Sequence, residues 1–253
     1  MSTANTSPLR VIVTGGTAGI GLGIARAFAA EGARVTLVGR DATRAREAAA
    51  QWFDPDAVRV VIGDVADPAV RREAVDLTVA AFGGLDVLVN NAGTTVRGRP
   101  EDYALDDYAH VLDVNLTAAF AMSQLAYPHL KASTHGRIIN IASLTSFFGS
   151  PFSLPYAVSK GGIVLLTKSL AVAWGADGIT VNAIAPGWID TDLTVGTRAL
   201  LPDLEASVVK RTPLHRWGTP GDVGPVAVFL ASPGAAFVNG TVIPVDGGYS
   251  ATL

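Results

Sequence analysis

The chain has 253 residues, of which 49% are apolar, and a mean hydropathy of +0.36. Its net charge of −3 and pI near 5.8 argue against a nucleic-acid or membrane-surface partner. It has no cysteine, which excludes thiol chemistry, disulfides and cysteine-ligated metal sites, and we predict no other metal site. Because the N-terminus is polar and the apolar stretches are short, we predict no signal peptide or membrane span and expect a cytoplasmic protein.

Strand and helix patterns alternate along the chain. Runs of apolar and β-branched residues predict strands, and apolar residues at helical spacing between them predict helices. Strands separated by helices form parallel sheets, so we predict an α/β fold, with residues 1–253 as a single domain around a Rossmann-type doubly wound sheet of about seven strands. The predicted strands are Arg10–Thr14, Arg34–Val38, Val58–Ile62, Leu85–Val89, Arg137–Ala142, Thr180–Ala185 and Thr241–Val245.

Three helical features bear on the later argument. Asp41 is predicted to cap the second helix, which would end near Asp54 and Pro55. The two longest helices are predicted at Ala104–Leu130 and Tyr156–Trp174. The segment Pro186–Pro213 is irregular, with room for one short helix, and is predicted to be a lid over the substrate.

A glycine-rich turn, TGGTAGIG, directly follows the first predicted strand. Its spacing, with Gly15, Gly19 and Gly21, matches the common dinucleotide fingerprint only in part. Glycines at such a turn let the backbone approach a pyrophosphate, whose charge a helix N-terminus stabilises. A glycine-rich turn that binds no ligand remains the alternative.

Two further turns are predicted at the same edge of the sheet. Asp64 and Val65 follow the third strand, and NNAG, which ends at Gly93, follows the fourth. Taken singly, a helix cap and an ordinary loop would explain them. Ligands of open α/β sheets bind at the carboxyl ends of strands, so the three turns together predict an adenine dinucleotide there.

Candidate catalytic residues fall close to that edge. Tyr156 and Lys160 are four residues apart and share one face of a predicted helix, although chance could supply this spacing. Ser143 comes directly after the strand Arg137–Ala142. Asn115 stands mid-helix among apolar residues, where it would be either a satisfied helix kink or part of a polar network.

These motifs, with VNL around Asn115, YAVSK and PGWIDT, resemble the classical short-chain dehydrogenase/reductase family in order and spacing, from about Leu9 to Gly248. The resemblance implies an NAD(P)-dependent oxidoreductase that interconverts a secondary alcohol and a ketone, assembled as a homotetramer. The catalytic tetrad would be Asn115, Ser143, Tyr156 and Lys160. The cofactor contacts would be Gly15, Thr17, Gly19, Ile20, Gly21, Asp64, Val65, Asn91, Ala92, Gly93, Pro186, Gly187, Ile189 and Thr191, besides Tyr156 and Lys160.

The implied mechanism transfers a hydride to or from the carbinol carbon and a proton to or from its oxygen. Tyr156 would work near pH 7 to 8 only if its pKa fell from about 10, and the charges of Lys160 and the oxidised nicotinamide would lower it. Ser143 would hydrogen-bond the substrate oxygen, and Lys160 could also hold the nicotinamide ribose. Asn115 would position a water that links Lys160 to solvent.

Cofactor choice is expected to depend on the end of the second strand. An acidic residue there would bind the ribose hydroxyls of NAD, but this chain has Gly39 followed by Arg40. Arg40 therefore predicts NADP, with NAD also accepted if its guanidinium merely stacks on adenine or lies in solvent.

The substrate is the least determined feature. Arg97 after NNAG, together with RTPLHRWGTP, looks similar to gluconate dehydrogenases, so we expect a small-molecule polyol or sugar acid. A 3-oxoacyl thioester or a bulky apolar ketone is the alternative substrate, and a solvated loop residue is the alternative interpretation of Arg97. A non-catalytic dinucleotide-binding sensor, or another chemistry on this fold such as epimerisation, would be a different class of function.

Overall fold

The computed structural model describes residues 7–52, 54–200 and 202–252, and the rest of the predicted domain lies outside them. Its sheet has seven parallel strands in the order β3-β2-β1-β4-β5-β6-β7. This confirms the predicted fold class. The strands are β1 (Arg10–Thr14), β2 (Arg34–Gly39), β3 (Val58–Ile62), β4 (Val87–Asn90), β5 (Arg137–Ile141), β6 (Thr180–Pro186) and β7 (Val242–Val245).

The central strands are buried because helices cover both faces of the sheet. Every residue of β5 and β6 is buried, and the neighbouring Val11 and Ile12 of β1 have side chains in different core clusters. β1 pairs with β2 on one side and with β4 on the other, so the strand order reverses between β1 and β4. Ligands of doubly wound sheets bind above such a reversal, and Thr14 and Asn90 end the two strands there.

The helices agree with the predicted alternation, with three differences. They are α1 (Gly19–Ala30), α2 (Ala42–Ala49), α3 (Pro68–Phe82), α4 (Leu105–Leu112), α5 (Ala118–Ala132), α6 (Leu154–Trp174), α7 (Asp192–Leu200), α8 (Leu204–Arg211) and α9 (Pro220–Ala231). Asp41 caps α2 as predicted, since its carboxylate accepts hydrogen bonds from the backbone N–H groups of Thr43 and Arg44 at 2.8 and 3.1 Å. The helix α2 nevertheless ends at Ala49, because Asp54 caps a separate short turn.

The other two differences concern segments that were predicted as one element. A π-helical turn, Asp113–Thr117, separates α4 from α5 within the predicted helix Ala104–Leu130. The segment Pro186–Pro213 contains two helices, α7 and α8, where one was expected. Helices α7 and α8 are short and mix apolar with polar residues, so the helical periodicity of the sequence was weak in this segment.

Helix α6, extended by a 3-10 turn to Asp177, is long and apolar enough by length and composition to cross a membrane, with a mean hydropathy of 1.2 over its most apolar window. One face of this helix is in the protein core, where Lys160, Ile163 and Thr167 are buried. That face packs on β6 and places the start of α6 beside the carboxyl ends of the strands.

Candidate active site

The glycine turn leads from β1 into α1 with glycines where larger residues would clash. Gly15 and Gly19 have φ angles of +63° and +52°, which side chains other than glycine rarely adopt. A Cβ at Gly21 would lie 2.1 Å from the Gly15 carbonyl oxygen. Ala18 precedes α1, and its methyl group cannot accept from the first N–H groups of the helix. The turn therefore presents backbone donors and a helix N-terminus, which fits a dinucleotide diphosphate.

Asn91 braces this turn from the neighbouring strand. Its side-chain amide donates to the carbonyl oxygens of Thr14 and Gly15 at 2.9 and 3.1 Å. The Thr14 hydroxyl in turn accepts from the backbone N–H groups of Asn91 and Ala92. These bonds hold the end of β4 against the glycine turn, so the glycine turn and NNAG, both predicted to contact the ligand, are joined directly.

The expected adenosine contacts lie at the ends of β2 and β3. Gly39 ends β2, and Arg40 directly after it forms an ion pair with Asp64, with Nη1 and Oδ2 3.5 Å apart. Asp64 also accepts from the Ala66 N–H at 2.9 Å. Val65 is buried in the core beside Asp64, so its side chain contributes packing at this end.

Tyr156 is partly exposed in the first turn of α6. Burial raises the pKa of its hydroxyl, and a hydrogen bond with the Ser143 side chain lowers it, with burial the larger effect. In the protein alone the pKa of the Tyr156 hydroxyl is thus raised, because desolvation of the phenolate outweighs the Ser143 hydrogen bond, whereas the lowering expected from the sequence depends also on the charge of the bound oxidised nicotinamide and stays a prediction. Ser143 follows β5, and its hydroxyl also accepts from the Thr145 N–H at 3.2 Å.

Lys160 is buried beneath Tyr156. Its Nζ donates to the Ile141 carbonyl at 2.7 Å and lies 5.6 Å from the centre of the Tyr156 ring. Burial lowers the pKa of this amine from 10.5 to about 8. An ammonium has three donors, so Lys160 keeps two N–H groups beyond the one held by β5.

Asn115 lies in the π-helical turn and is almost fully buried. Its side chain accepts from the Thr94 N–H at 2.7 Å and donates to the Thr94 carbonyl and the Ser159 hydroxyl, each at 3.0 Å. Both amide donors are used, so the kink and the polar network are one feature. A water bound by this side chain would have to donate to the remaining lone pair of Oδ1.

Gly93 connects these groups to the dinucleotide turns. A Cβ at Gly93 would lie 3.5 Å from Asn115 Oδ1 and 3.7 Å from Lys160 Nζ. The structure therefore brings together the four residues of the expected tetrad and the end of NNAG. Two serines that the sequence analysis passed over complete the network: Ser159 donates to the Tyr156 carbonyl, and Ser146 donates to the Lys160 carbonyl at 2.8 Å. Ser159 lies within YAVSK and Ser146 lies three residues after Ser143, so their positions beside the catalytic candidates were visible in the sequence.

The segment after β6 reaches across the sheet to the glycine turn. Pro186 ends β6, the Gly187 N–H donates to the Val245 carbonyl at 2.9 Å, and Ile189 is buried. The Thr191 methyl lies 3.3 Å from where a Cβ at Gly19 would be. The expected nicotinamide-end residues and the expected diphosphate residues thus meet at the carboxyl edge of the sheet, with Thr191 against Gly19 and the partly buried Ile20 beside it.

Helix α7 is attached to other parts of the chain on two sides. Arg44 of α2 binds Asp192 with Nη1 and Oδ2 2.5 Å apart. On the other side, the Arg97 guanidinium donates to the Leu193 carbonyl and to the Thr197 hydroxyl. The Arg44–Asp192 ion pair had no signal in the sequence, because 147 residues separate its partners along the chain.

Comparisons with known proteins agree with this geometry. A family model described as enoyl-(acyl carrier protein) reductase matches residues 15–250. The 2-dehydro-3-deoxy-D-gluconate 5-dehydrogenase of Bacillus subtilis is 40% identical over 242 residues, covering 94% of this chain and 93% of that protein. The gluconate 5-dehydrogenase of Gluconobacter oxydans is 35% identical over 251 residues, covering 98% and 96%. The crystal structure of a gluconate 5-dehydrogenase from Burkholderia cenocepacia in complex with NADP and tartrate has a TM-score of 0.89 and 37% identity, with 98% of this chain and 97% of that chain covered.

The matches extend over nearly the whole chain, and the motif residues that suggested the resemblance meet at one edge of one sheet. The family model and each of these relatives describe dehydrogenases or reductases. The chain belongs to the classical short-chain dehydrogenase/reductase family and is an NAD(P)-dependent oxidoreductase that interconverts an alcohol and a ketone.

Proposed function

We propose that this enzyme is an NADP-dependent dehydrogenase of a polyol or sugar acid, with Asn115, Ser143, Tyr156 and Lys160 as its catalytic tetrad. The observation that carries the chemistry is the buried Lys160 amine, held by the Ile141 carbonyl at 2.7 Å and 5.6 Å from the centre of the Tyr156 ring, with Ser143 close enough to lower the pKa of the Tyr156 hydroxyl. The bound cofactor supplies or accepts the hydride at the carbinol carbon.

Each side chain of the tetrad has a distinct task. Tyr156 passes a proton to the substrate oxygen in the direction of ketone reduction and removes it in the direction of alcohol oxidation. Ser143 donates a hydrogen bond to the same oxygen as negative charge develops there. Lys160, held by the Ile141 carbonyl, stabilises the phenolate when its amine is charged, and its free donors suit ribose hydroxyls. Asn115 holds the Thr94 backbone and Ser159 in place around them.

Arg97 supports the sugar-acid assignment. It lies on the loop that leaves Gly93. A hydrogen bond from the Gly98 N–H to the Phe152 carbonyl at 3.1 Å links this loop to the segment that follows Ser143. One nitrogen of Arg97 binds α7, which leaves the other donors of the guanidinium for a substrate carboxylate. The relatives named as gluconate and 2-dehydro-3-deoxy-gluconate 5-dehydrogenases act on acids of this kind.

Replacement of Arg97 by alanine should lower kcat/KM for sugar acids about ten-fold, since one charge-assisted contact at an exposed position is lost. The measurement is absorbance at 340 nm with a panel of sugar acids and matched neutral polyols, with which the variant should differ little from wild type.

Arg99→Ala is the matched control for this prediction, because Arg99 is on the same loop but pairs with Glu101 at 2.9 Å. An equal loss on acids and neutral polyols in the Arg97 variant would count against carboxylate recognition. A wild type that turns over no sugar acid would reject this substrate class.

An acyl thioester or another apolar ketone is the second candidate substrate. The segment that follows Ser143 carries three phenylalanines, each about half exposed, from 49% to 57%: Phe147, Phe148 and Phe152. The matched family model is also described by an acyl-carrier-protein substrate. The same panel, with a 3-oxoacyl thioester included, decides between the two candidates. If the second candidate is correct, the thioester should give a higher kcat/KM than every sugar acid.

The segment 186–213 is proposed to be a lid that closes over the substrate, with α7 as its moving part. The ion pair of Arg44 and Asp192 and the bonds of Arg97 hold α7 at exposed positions, where such contacts open readily. Amide hydrogen exchange of the free enzyme should be faster in this segment than in α6, and NADP should slow it. Equal exchange with and without NADP would exclude gating.

We also propose a cytoplasmic homotetramer. Helix α6 carries Val158, Leu165 and Val172 at intervals of seven residues, so they share one face, with exposures of 45%, 65% and 87%. Leu105 of α4 and Phe237 are exposed at 83% and 104%, and apolar surface of this extent favours burial against further copies.

Light scattering at micromolar concentration should give four times the chain mass of 26.1 kDa. Leu165→Glu combined with Val172→Glu should shift the mass to a smaller assembly, because two charges would be buried in the interface. Ile62→Lys, at a half-exposed apolar residue on β3, is the control and should leave the assembly intact. A monomeric wild type would refute the proposal.

A further inference from the structure

The side chain of Thr17 fills the space beside Gly39 at the end of β2, where the choice between NADP and NAD is expected to be made. Thr17 of the glycine turn packs against Gly39 and is 9% exposed. A Cβ at residue 39 would lie 2.3 Å from Thr17 Oγ1 and 2.6 Å from its Cγ2. Both distances are far below van der Waals contact, so the Thr17 side chain occupies the place that an acidic residue at position 39 would need.

Rotation of Thr17 does not clear this space. Its hydroxyl and its methyl both face residue 39, and the three staggered positions on a β-branched Cβ hold two heavy atoms and one hydrogen. Each rotamer therefore directs at least one heavy atom towards residue 39. An acid that binds the two ribose hydroxyls of NAD thus cannot be accommodated at Gly39 while Thr17 is present.

Asp64 acts on the other side of the same position. Its Oδ1 is held by the Ala66 N–H, and the Gly63 N–H donates to the Gly39 carbonyl at 3.0 Å, so the ends of β2 and β3 are fixed together. This places Asp64 Oδ2 3.5 Å from Arg40 Nη1. A 2′-phosphate that bound Arg40 would have to displace this carboxylate or share the guanidinium with it, against the repulsion between the two negative groups.

We propose that Thr17 and Asp64 are specificity-determining residues for the 2′ position of the adenosine ribose, and this rests on the proposed NADP dependence. Thr17 restricts position 39 to glycine, so that no carboxylate can stand where it would bind the ribose hydroxyls of NAD or repel a 2′-phosphate. Asp64 opposes the preference for NADP by engaging Arg40, the residue that would bind the 2′-phosphate. In this chain the ratio of NADP to NAD affinity is set by Arg40 and Asp64, and Thr17 prevents the substitution at position 39 that would shift it towards NAD.

The role of Asp64 is tested by calorimetric titration of the full chain with 2′,5′-ADP and 5′-AMP, which differ only in the 2′-phosphate. Asp64→Asn keeps an acceptor for the Ala66 N–H and removes the charge. It should raise the preference for 2′,5′-ADP over 5′-AMP about 3- to 10-fold, as expected when a partly exposed competing charge is removed. Asp76→Asn, at an exposed position on α3, is the control for net charge and should not change the ratio.

The outcomes separate this inference from the proposed function. If the wild type prefers 2′,5′-ADP and Asp64→Asn leaves the ratio unchanged or lowers it, the role of Asp64 is wrong and NADP dependence stands. If the wild type binds 5′-AMP as tightly as 2′,5′-ADP or binds neither, both proposals are overturned.

The role of Thr17 is tested with Gly39→Asp, Thr17→Ala and the double variant. Gly39→Asp alone should lower the melting temperature and gain no affinity for NADH, measured by its fluorescence on binding. Thr17→Ala/Gly39→Asp should recover most of the melting temperature and bind NADH about ten-fold more tightly than Thr17→Ala does, because only the Cβ of residue 17, 3.0 Å away, then remains close to residue 39. A Gly39→Asp variant as stable as the wild type, with the NADH affinity of the double variant, would overturn the steric role.

Discussion

Replacement of Tyr156 by phenylalanine is expected to lower kcat about a thousand-fold or more and to leave the Kd for NADP nearly unchanged. The hydroxyl is the group that exchanges a proton with the substrate oxygen, and positioned acid–base groups contribute about 10²- to 10⁴-fold. Phenylalanine keeps the ring and its packing above Lys160. Turnover is followed by absorbance at 340 nm, and cofactor binding by the fluorescence of bound NADPH.

Tyr127→Phe is the control for this prediction, because it removes a tyrosine hydroxyl that bonds Asp177 at 2.8 Å, at the far end of α6. It should keep kcat within about two-fold of wild type. Ser143→Ala should lose about 10²-fold, as do enzymes that lose one donor to a developing oxyanion. A Tyr156→Phe enzyme with near-normal kcat would rule out the proposed mechanism.

Replacement of Arg40 by alanine is expected to lower the ratio of kcat/KM with NADP to that with NAD by about ten- to a hundred-fold. One charge-assisted contact to a phosphate contributes about 1.5–3 kcal/mol, which corresponds to this range. The Arg40 side chain is 63% exposed and lies at the end of β2, where a 2′-phosphate can reach it. The effect should appear in KM for NADP and leave kcat nearly unchanged, because the contact is remote from the reacting carbon.

Arg44→Ala is the matched control, since it also removes one arginine near the start of α2 but one that binds Asp192. Its effect on the cofactor ratio should be several-fold smaller. A wild type that prefers NAD, or an unchanged ratio in the Arg40 variant, would show that the guanidinium does not bind the 2′-phosphate.

The sequence by itself determined the order of strands and helices and the edge of the sheet at which the site forms. The strands β1 and β3 have the predicted bounds, Arg10–Thr14 and Val58–Ile62. This succeeded because strands of a parallel sheet are buried on both faces and give apolar runs bounded by turns. Once the strands alternate with helices, parallel pairing brings every turn after a strand to one edge of the sheet. The glycine turn, NNAG and Ser143 therefore lie at that edge, and Tyr156 lies in the first turn of the next helix.

The tertiary structure decided which polar groups meet at that edge. Two of these contacts join residues 19 to 24 positions apart: Lys160 donates to the Ile141 carbonyl, and Arg40 pairs with Asp64. The π-helical turn that carries Asn115 depends on packing between helices. Pattern and propensity report only on near neighbours along the chain, whereas these contacts depend on strand register and side-chain direction. The pKa of Tyr156 shows the same limit. The sequence supplied a neighbouring lysine, but the desolvation that raises the pKa of Tyr156 and lowers that of Lys160 is a property of the folded interior.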